Sequence, residues 1–170
     1  MKVEEINREI LFRAKRIDSG IGEWVEGYYV YFERMKNACI YYVHKGFPLV
    51  TDVDPETVCQ YTGLTDKKGR KIFEGDILMC HENKKDLVKV VFGKLHVINA
   101  ETLEKIDEAI GWHYEVVPTD EISKCNPFSL SMSFIDVDIK QLDMEVIGNI
   151  FDNPELLKKN IKNKNPNLKD

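Results

Sequence analysis

The chain has 170 residues and a formal net charge of −5, with 43% hydrophobic and 31% charged residues. These values exclude collagen-like, disulfide-rich and strongly disordered classes, and the length suits one domain with at most a small appendage. The negative charge disfavours a protein dedicated to duplex DNA. No apolar run reaches the roughly 20 residues of a membrane helix, and the N-terminus lacks the apolar core of a signal peptide. We therefore expect a cytoplasmic protein with no membrane partner.

Short strands are predicted over most of the first 98 residues, because aromatic and β-branched residues are frequent there and turn residues interrupt them often. The predicted strands cover residues 10–15, 24–32, 39–43, 57–62, 71–73 and 77–80. Two more strands, 87–92 and 95–100, flank Gly93-Lys94, a pair typical of a short hairpin turn. Many short strands with frequent turns favour an antiparallel barrel or sandwich.

Helix patterns are fewer. Apolar residues recur at helical spacing over 101–110, and Gly111 follows as a stop, so a helix is predicted there. Near the C-terminus, alternation predicts a strand over 134–139, and residues 145–151 are predicted to be a closing strand. Asn153-Pro154 is typical of the start of a short helix.

The cysteines give no sign of a metal or redox site. Cys39, Cys59, Cys80 and Cys125 contain no CxxC pair, so a zinc or thioredoxin-like motif is not indicated. In a chain that stays inside the cell, such cysteines are reduced and are typical of small buried core residues.

Three stretches together carry a family resemblance. They read REILFRA at 8–14, QYTGLTDKKGRKIFEGDI at 60–77 and EVIGNIFDNPELL at 145–157. In order and content they resemble the YopX family. The resemblance implies an origin in a bacteriophage or prophage of a bacterial host cell, a mostly β fold and no assigned active site. The chain departs from the family pattern at Lys15-Arg16, where members often have Trp-Asp, and it is longer than compact members between residues 93 and 144.

The predicted fold class is therefore mainly β with minor helix: a YopX-like, antiparallel, partly open SH3-like barrel with an α+β insert. The barrel core is placed at 7–98 plus 145–157. The insert, or a small second subdomain, is placed at 99–144. Residues 158–170, rich in Lys and Asn, are predicted to be a flexible basic tail.

Several motif residues have turn chemistry. Gly63, Gly69 and Gly75 are expected at turns or corners, and Asp76 can accept backbone N–H groups beside Gly75. Gly148 is expected where another backbone crosses its strand. We interpret all five residues as structural, because turn chemistry alone explains them.

A basic hairpin is the candidate binding surface. Four basic residues lie at its predicted tip: Lys67, Lys68, Arg70 and Lys71. A second basic group is predicted nearby: Lys84, Lys85, Lys89 and Lys94. Basic loops on a small β-barrel suit single-stranded nucleic acid when aromatic residues are also exposed. The segment 97–152 is strongly acidic and opposes that interpretation. Abundant tyrosines equally favour a protein interface, including self-association.

Catalytic chemistry finds little support. Asp136 and Asp138 would share one face of a strand and could hold Mg²⁺ in a nuclease, but a solvent-facing strand explains the same spacing. The histidines form no HxH or HExxH motif and are expected at or near the surface. No catalytic residue, metal ligand or cofactor is therefore predicted.

The function predicted is a non-enzymatic phage or prophage accessory protein whose specific role is unknown. It would act as a protein-binding or self-associating module, with a homo-oligomer as one form. Binding of single-stranded nucleic acid is the alternative, and a Mg²⁺-dependent nuclease is a distant third.

Overall fold

The computed structural model describes residues 9–18, 22–99, 101–102, 104–119, 132–133 and 136–157. The predicted tail, 158–170, and Cys125 lie outside the described residues. The strands are β1 Phe12–Lys15, β2 Trp24–Phe32, β3 Asn37–His44, β4 Phe47–Asp52, β5 Cys59–Thr65, β6 Lys71–Phe73, β7 Asp76–Met79, β8 Leu87–Ile98, β9 Lys105–Val117, β10 Met132–Ser133 and β11 Glu145–Asn149. The helix α1 spans Asp136–Gln141, and 3-10 turns cover Pro55–Thr57 and Pro154–Leu157. The prediction of a mainly β chain with minor helix is confirmed.

The chain divides into two compact units, Met1–Gly75 and Asp76–Asp170, called unit 1 and unit 2 below. Unit 1 is one antiparallel sheet with strand order β4-β3-β2-β1-β5-β6. Its core lies on one face of β1–β4 and consists of Ala14, Val25, Ala38, Ile40 and Val53. The alternation predicted from the sequence produces this face, because successive residues of a strand point to opposite sides.

The sheet of unit 1 curls back on itself at one end. Beyond β1 and β4, Arg16 and Val53 form an antiparallel bridge, in which the Ile17 N–H donates to the Asp52 carbonyl at 3.1 Å. No continuous ladder closes the ring, and neither described sheet is a closed barrel.

Unit 2 is a five-stranded antiparallel sheet with strand order β10-β9-β8-β7-β11. Its core contains Ile77, Leu87 and Val117, against which residues of β11 and of the Pro154–Leu157 turn pack. Within the described residues, no helix is long and apolar enough to cross a membrane.

The hairpin predicted at Gly93-Lys94 is wrong, and so is the helix predicted over 101–110. β8 runs through Gly93 without turning, and Gly93 pairs with Gly111 in the long β8–β9 ladder. Residues 105–110 are the first half of β9. The helical spacing was overridden by pairing with β8, because tertiary hydrogen bonding outweighs a weak local pattern.

The strand expected over 145–151 is present as β11, but it pairs with β7 in unit 2 and closes no barrel in unit 1. The boundary between the two units lies after Gly75. The sequence analysis placed a boundary after residue 98, which is the end of β8, but β8 pairs with β9 on the other side of that boundary. The strand predicted over 134–139 is also wrong, because Asp136–Gln141 form α1, with Asp136 paired to Lys140 one turn later.

Candidate binding surface

The basic hairpin is built around a buried carboxylate. Asp66 joins β5 to the turn, and its side chain is fully buried. One of its oxygens accepts the backbone N–H groups of Lys68 and Arg70 at 2.8 and 2.9 Å. The other oxygen accepts a hydrogen bond from Nε of Arg70 at 2.8 Å and lies 2.8 Å from Nη2 of the same guanidinium. Gly69 adopts the positive φ of 78° that the turn requires. The sequence predicts this turn but not the central role of Asp66, for which the Asp-x-x-Gly spacing was the available signal.

Arg70 and Lys71, which are among the basic residues predicted to bind a partner, make ion pairs within unit 1. Arg70 holds Asp66, and Lys71 lies 3.4 Å from Glu26 and 5.7 Å from the centre of the Tyr61 ring. Lys67 and Lys68 are exposed at the tip. The hairpin therefore offers less uncompensated positive charge than its sequence indicates.

More cations of unit 1 lie against aromatic rings. The Arg13 guanidinium carbon is 4.7 Å from the Trp24 ring centre and 4.6 Å from the Phe73 ring centre. Lys15 lies 5.5 Å from the Trp24 ring on the same side of the sheet. Such cation–ring contacts stabilise the sheet locally. Arg13 and Lys15 therefore have a structural role that the sequence analysis did not identify.

The second basic group does not form one cluster. Lys89 pairs with Glu115 at 2.7 Å, while Lys94 pairs with Glu108 at 3.0 Å. Lys89 and Lys94 lie five residues apart on β8 and so point to opposite faces of the sheet. Hydrogen bonds from Lys105 and Lys94 lower the pKa of Glu108 and keep it charged beside them.

The two aspartates considered as Mg²⁺ ligands do not lie on one face of a strand. Asp136 and Asp138 are two residues apart on α1, where side chains at that spacing do not share a face. No group of three His, Cys, Asp or Glu side chains in the described part of the chain is placed to hold a metal ion.

The histidines and cysteines are placed mostly as predicted. His113 is an exception to the expected surface position, since it is buried and its Nδ1 lies 3.2 Å from the Gly111 carbonyl. Cys39, Cys59 and Cys80 are buried and unbridged, as expected. Burial raises the pKa of Cys39 to about 11 and that of Cys80 to about 12, which keeps both thiols protonated and weakly nucleophilic.

The turn residues divide between confirmed and revised interpretations. Gly69 and Gly75 have positive φ in turns, whereas Gly63 has positive φ inside β5, where the pairing with β6 shifts register. Asp76 is fully buried at the start of β7, opposite Asn149 of β11. At Gly148 the close neighbour is a side chain: an added Cβ would stand 2.4 Å from Asn153 Oδ1, where a crossing backbone was expected.

The most exposed apolar surface of unit 1 lies on residues 28–50 of β2, β3 and β4, which we call the aromatic sheet. Two turns connect the three strands of the aromatic sheet. Lys36 has a φ of 54° at the end of the β2–β3 connection, and Lys45 and Gly46 both have positive φ in the two-residue β3–β4 turn. Positive φ at both central residues is the geometry of a tight hairpin whose twist matches its strands.

The aromatic sheet exposes apolar side chains on both faces. Strand pairing assigns each face, because directly opposed residues share it. One face carries Tyr28, Tyr41, Val43 and Val50, and the other carries Tyr29, Tyr31, Phe47 and Leu49. Tyr31 is 51% exposed, Val43 62% and Phe47 70%. The second face continues the core of unit 1, since Tyr31 pairs with the buried Ala38.

The strand residues of the aromatic sheet carry no formal charge. The charged side chains between residues 28 and 50 lie in the two turns: Glu33, Arg34, Lys36 and Lys45. The sequence analysis noted the tyrosines but could not separate exposed ones from core ones. Aromatic and β-branched residues look alike in sequence whether their face is covered or open.

The outer edge of β4 is open along part of its length. The Val53 N–H donates to the Ala38 carbonyl at 2.9 Å, and alternation then directs the N–H and C=O of Val50 away from β3. In the described ranges no backbone group bonds to them. Pro48 on the same strand presents no N–H, a feature common at sheet edges.

Comparison with known proteins gives a family match. A family model described as YopX protein matches residues 11–158, which is most of the chain. A search of curated proteins finds no matching relative.

Proposed function

The chain belongs to the YopX family, and from this membership we propose that it is a non-enzymatic phage or prophage accessory protein that binds a protein partner in the host cytoplasm. The observation that supports the proposal is the exposure of large apolar side chains on both faces of the aromatic sheet. Large apolar patches on a folded protein mark interaction sites more often than inert surface. Tyrosine in particular is enriched at protein interfaces.

Charge favours a protein over a nucleic acid as the occupant of this surface. Single-stranded nucleic acid is held by basic grooves that neutralise phosphates. The strands of the aromatic sheet carry no formally charged side chain, and Arg70 and Lys71 of the basic hairpin are engaged by carboxylates. A partner with its own apolar, charge-poor face would match the aromatic sheet better.

The open edge of β4 adds a second means of contact. The outward N–H and C=O of Val50 can bond to an extended segment laid beside β4. Side chains of that segment would then continue both apolar faces of the sheet. The proposed partner therefore contributes a strand or an extended peptide with alternating apolar residues.

A paired capture experiment tests the proposal. Purified chain is immobilised as the wild type, as the Tyr31→Ser/Phe47→Ser double variant and as Lys68→Ser, and each is exposed to lysate from phage-carrying cells. We expect the wild type and Lys68→Ser to retain the same protein and the double variant to lose it. Equal capture by all three baits, or loss with Lys68→Ser alone, would contradict the proposal. Circular dichroism checks that each bait is folded.

Binding of single-stranded nucleic acid is the second candidate. Exposed tyrosines and the exposed Lys67 and Lys68 favour it, since bases stack on aromatic rings beside basic groups. Fluorescence anisotropy with labelled single-stranded DNA at low and high salt tests it. Salt-sensitive binding that Lys67→Ser/Lys68→Ser weakens would favour this candidate over a protein partner.

A further inference from the structure

A second interaction surface lies in unit 2, on the distal part of the β8–β9 hairpin. We call residues 93–98 and 105–111 the β8–β9 arm. β7 pairs with β8 only at Leu87–Lys89, and β10 pairs with β9 only at His113 and Tyr114. Within the described residues, the two strands of the arm therefore pair only with each other, over a length of about 20 Å.

The β8–β9 arm has little core of its own. Ile106 is 64% exposed and Ile110 is 73% exposed. Its ion pairs, which join Glu108 to Lys94 and Lys105, are exposed to solvent, where such pairs contribute little. A two-stranded hairpin is marginally stable in water and normally needs a third strand or a packed face.

Within the described ranges, no strand pairs with the hydrogen-bonding edge of β8 along the arm. The Cys80 N–H donates to the Asp86 carbonyl at 2.8 Å, which makes the even-numbered residues of β8 face the side of β7. The pairing of β7 ends before Phe92. The backbone groups of Phe92, Lys94 and His96 therefore point outward, and the described part of the chain supplies no backbone partner for them.

We propose that two copies of the chain pair antiparallel along this edge of β8, with Leu95 opposite the partner's Leu95. In that register Lys94 and the partner's His96 face each other, and their outward N–H and C=O groups bond reciprocally. Gly93 lies opposite the partner's Val97. The partner side chain has room there, because a Cβ at Gly93 would have no neighbour closer than His113 Cε1 at 3.8 Å.

Charge along the edge fits a second copy. Lys94 is the single formal charge between residues 90 and 98, and its own Glu108 lies 3.0 Å away. His96 Nδ1 lies 3.8 Å from Glu108. In this register the partner's Lys94 stands beside His96, and Glu108 lies on the next strand beyond His96. Leu95 and the partner's Leu95 meet on the opposite, apolar face.

This inference rests on unit 2 and is independent of the aromatic sheet in unit 1. Sedimentation equilibrium of the full chain tests it with wild type, His96→Pro and His96→Thr. Proline removes only an outward N–H, so it disturbs the edge and not the β8–β9 ladder. We expect a wild-type dimer, a dissociation constant at least about tenfold weaker for His96→Pro, and little change for His96→Thr.

Cysteine cross-linking tests the register even where the proline variant fails to fold. Leu95→Cys should form an intermolecular disulfide under mild oxidation, because directly opposed non-hydrogen-bonded residues bring their Cβ atoms close. Val97→Cys, which faces the partner's Gly93, should cross-link far less, and the wild type controls for native thiols. A monomeric wild type, equal dimerisation of His96→Pro, or preferred cross-linking of Val97→Cys would overturn the proposal. Dimerisation unchanged by Tyr31→Ser/Phe47→Ser separates this interface from the aromatic sheet.

Discussion

Gly27 and Tyr41 approach so closely that a Cβ on Gly27 would stand 2.2 Å from the Tyr41 carbonyl oxygen. This contact lies where β2 leaves its pairing with β1 and takes up its pairing with β3. Because Gly27 has no side chain, β2 can pass this close to the backbone of β3 at the point where its pairing changes.

Replacement of Gly27 by alanine should destabilise unit 1. The added methyl group meets backbone, which cannot rotate away, so we expect the free energy of unfolding to fall by about 1–3 kcal/mol. Gly111→Ala is the matched control, since an added Cβ would have no neighbour closer than Leu95 Cδ2 at 3.9 Å, and its effect should stay within about 0.5 kcal/mol. Urea unfolding followed by the fluorescence of Trp24 in unit 1 and Trp112 in unit 2 measures both. A Gly27→Ala protein as stable as the wild type would contradict this close approach.

Removal of the Asp66 carboxylate should loosen the basic hairpin. Asp66→Ala loses two backbone N–H bonds and the pair with Arg70, so we expect a loss of about 2–3 kcal/mol. Asp66→Asn keeps an acceptor for both N–H groups and should lose less than half of that. Arg70→Ala removes only a half-exposed partner and should cost about 1 kcal/mol or less. Urea unfolding ranks the stabilities of the three variants. A larger loss of stability for Arg70→Ala than for Asp66→Ala would contradict the central role of Asp66 in the hairpin.

Alkaline pH should destabilise unit 2. Burial, helped by Asp86, raises the pKa of Cys80 from 9.0 to about 12, and burial raises that of Tyr114 from 10.0 to about 12. Below pH 9 both groups are protonated whether the chain is folded or unfolded. Above pH 9 the unfolded chain releases these protons and the folded chain does not, so stability falls as pH rises. Urea midpoints between pH 8 and about 10.5 measure the slope.

The control for this pH dependence is Cys80→Ala, which removes one of the two titrating groups. The fall in the urea midpoint with pH should be shallower in that variant. A wild-type midpoint that does not change above pH 9 would show that Cys80 and Tyr114 titrate normally in the folded chain.

Much of the strand content could be predicted from the sequence, because local composition decides it. The aromatic and β-branched residues of β2 and β3 form strands as expected. Gly69 and Gly75 take the positive φ that their turns need. Each of these features depends on a few neighbouring residues and on backbone sterics.

Two failures of sequence reasoning depend on distant partners. Gly93 was interpreted as a turn, yet it lies mid-strand because Gly111 pairs with it from 18 positions away. The helical spacing of Ile106 and Ile110 was real, but the ladder with β8 decides the conformation of both residues. Neither partner can be identified from a local pattern.

The candidate site was missed for a related reason. The basic hairpin was chosen from the sequence because its basic residues are adjacent. The carboxylates that engage them could not be identified there, because Asp66 is buried and Glu26 lies far away in the sequence. The exposure of Tyr31 and Phe47 depends on where the covered core ends. A strand pattern shows which face a residue shares but not what covers that face.

Site-specific photo-cross-linking tests most directly whether the aromatic sheet is the surface that binds a protein partner. A photoreactive phenylalanine analogue is placed at Phe47 in one variant and at Lys68, the exposed tip of the basic hairpin, in another, and both are irradiated in phage-carrying cells. We expect a discrete protein adduct from position 47 and none from position 68. An adduct from position 68 alone, or from neither position, would contradict the account.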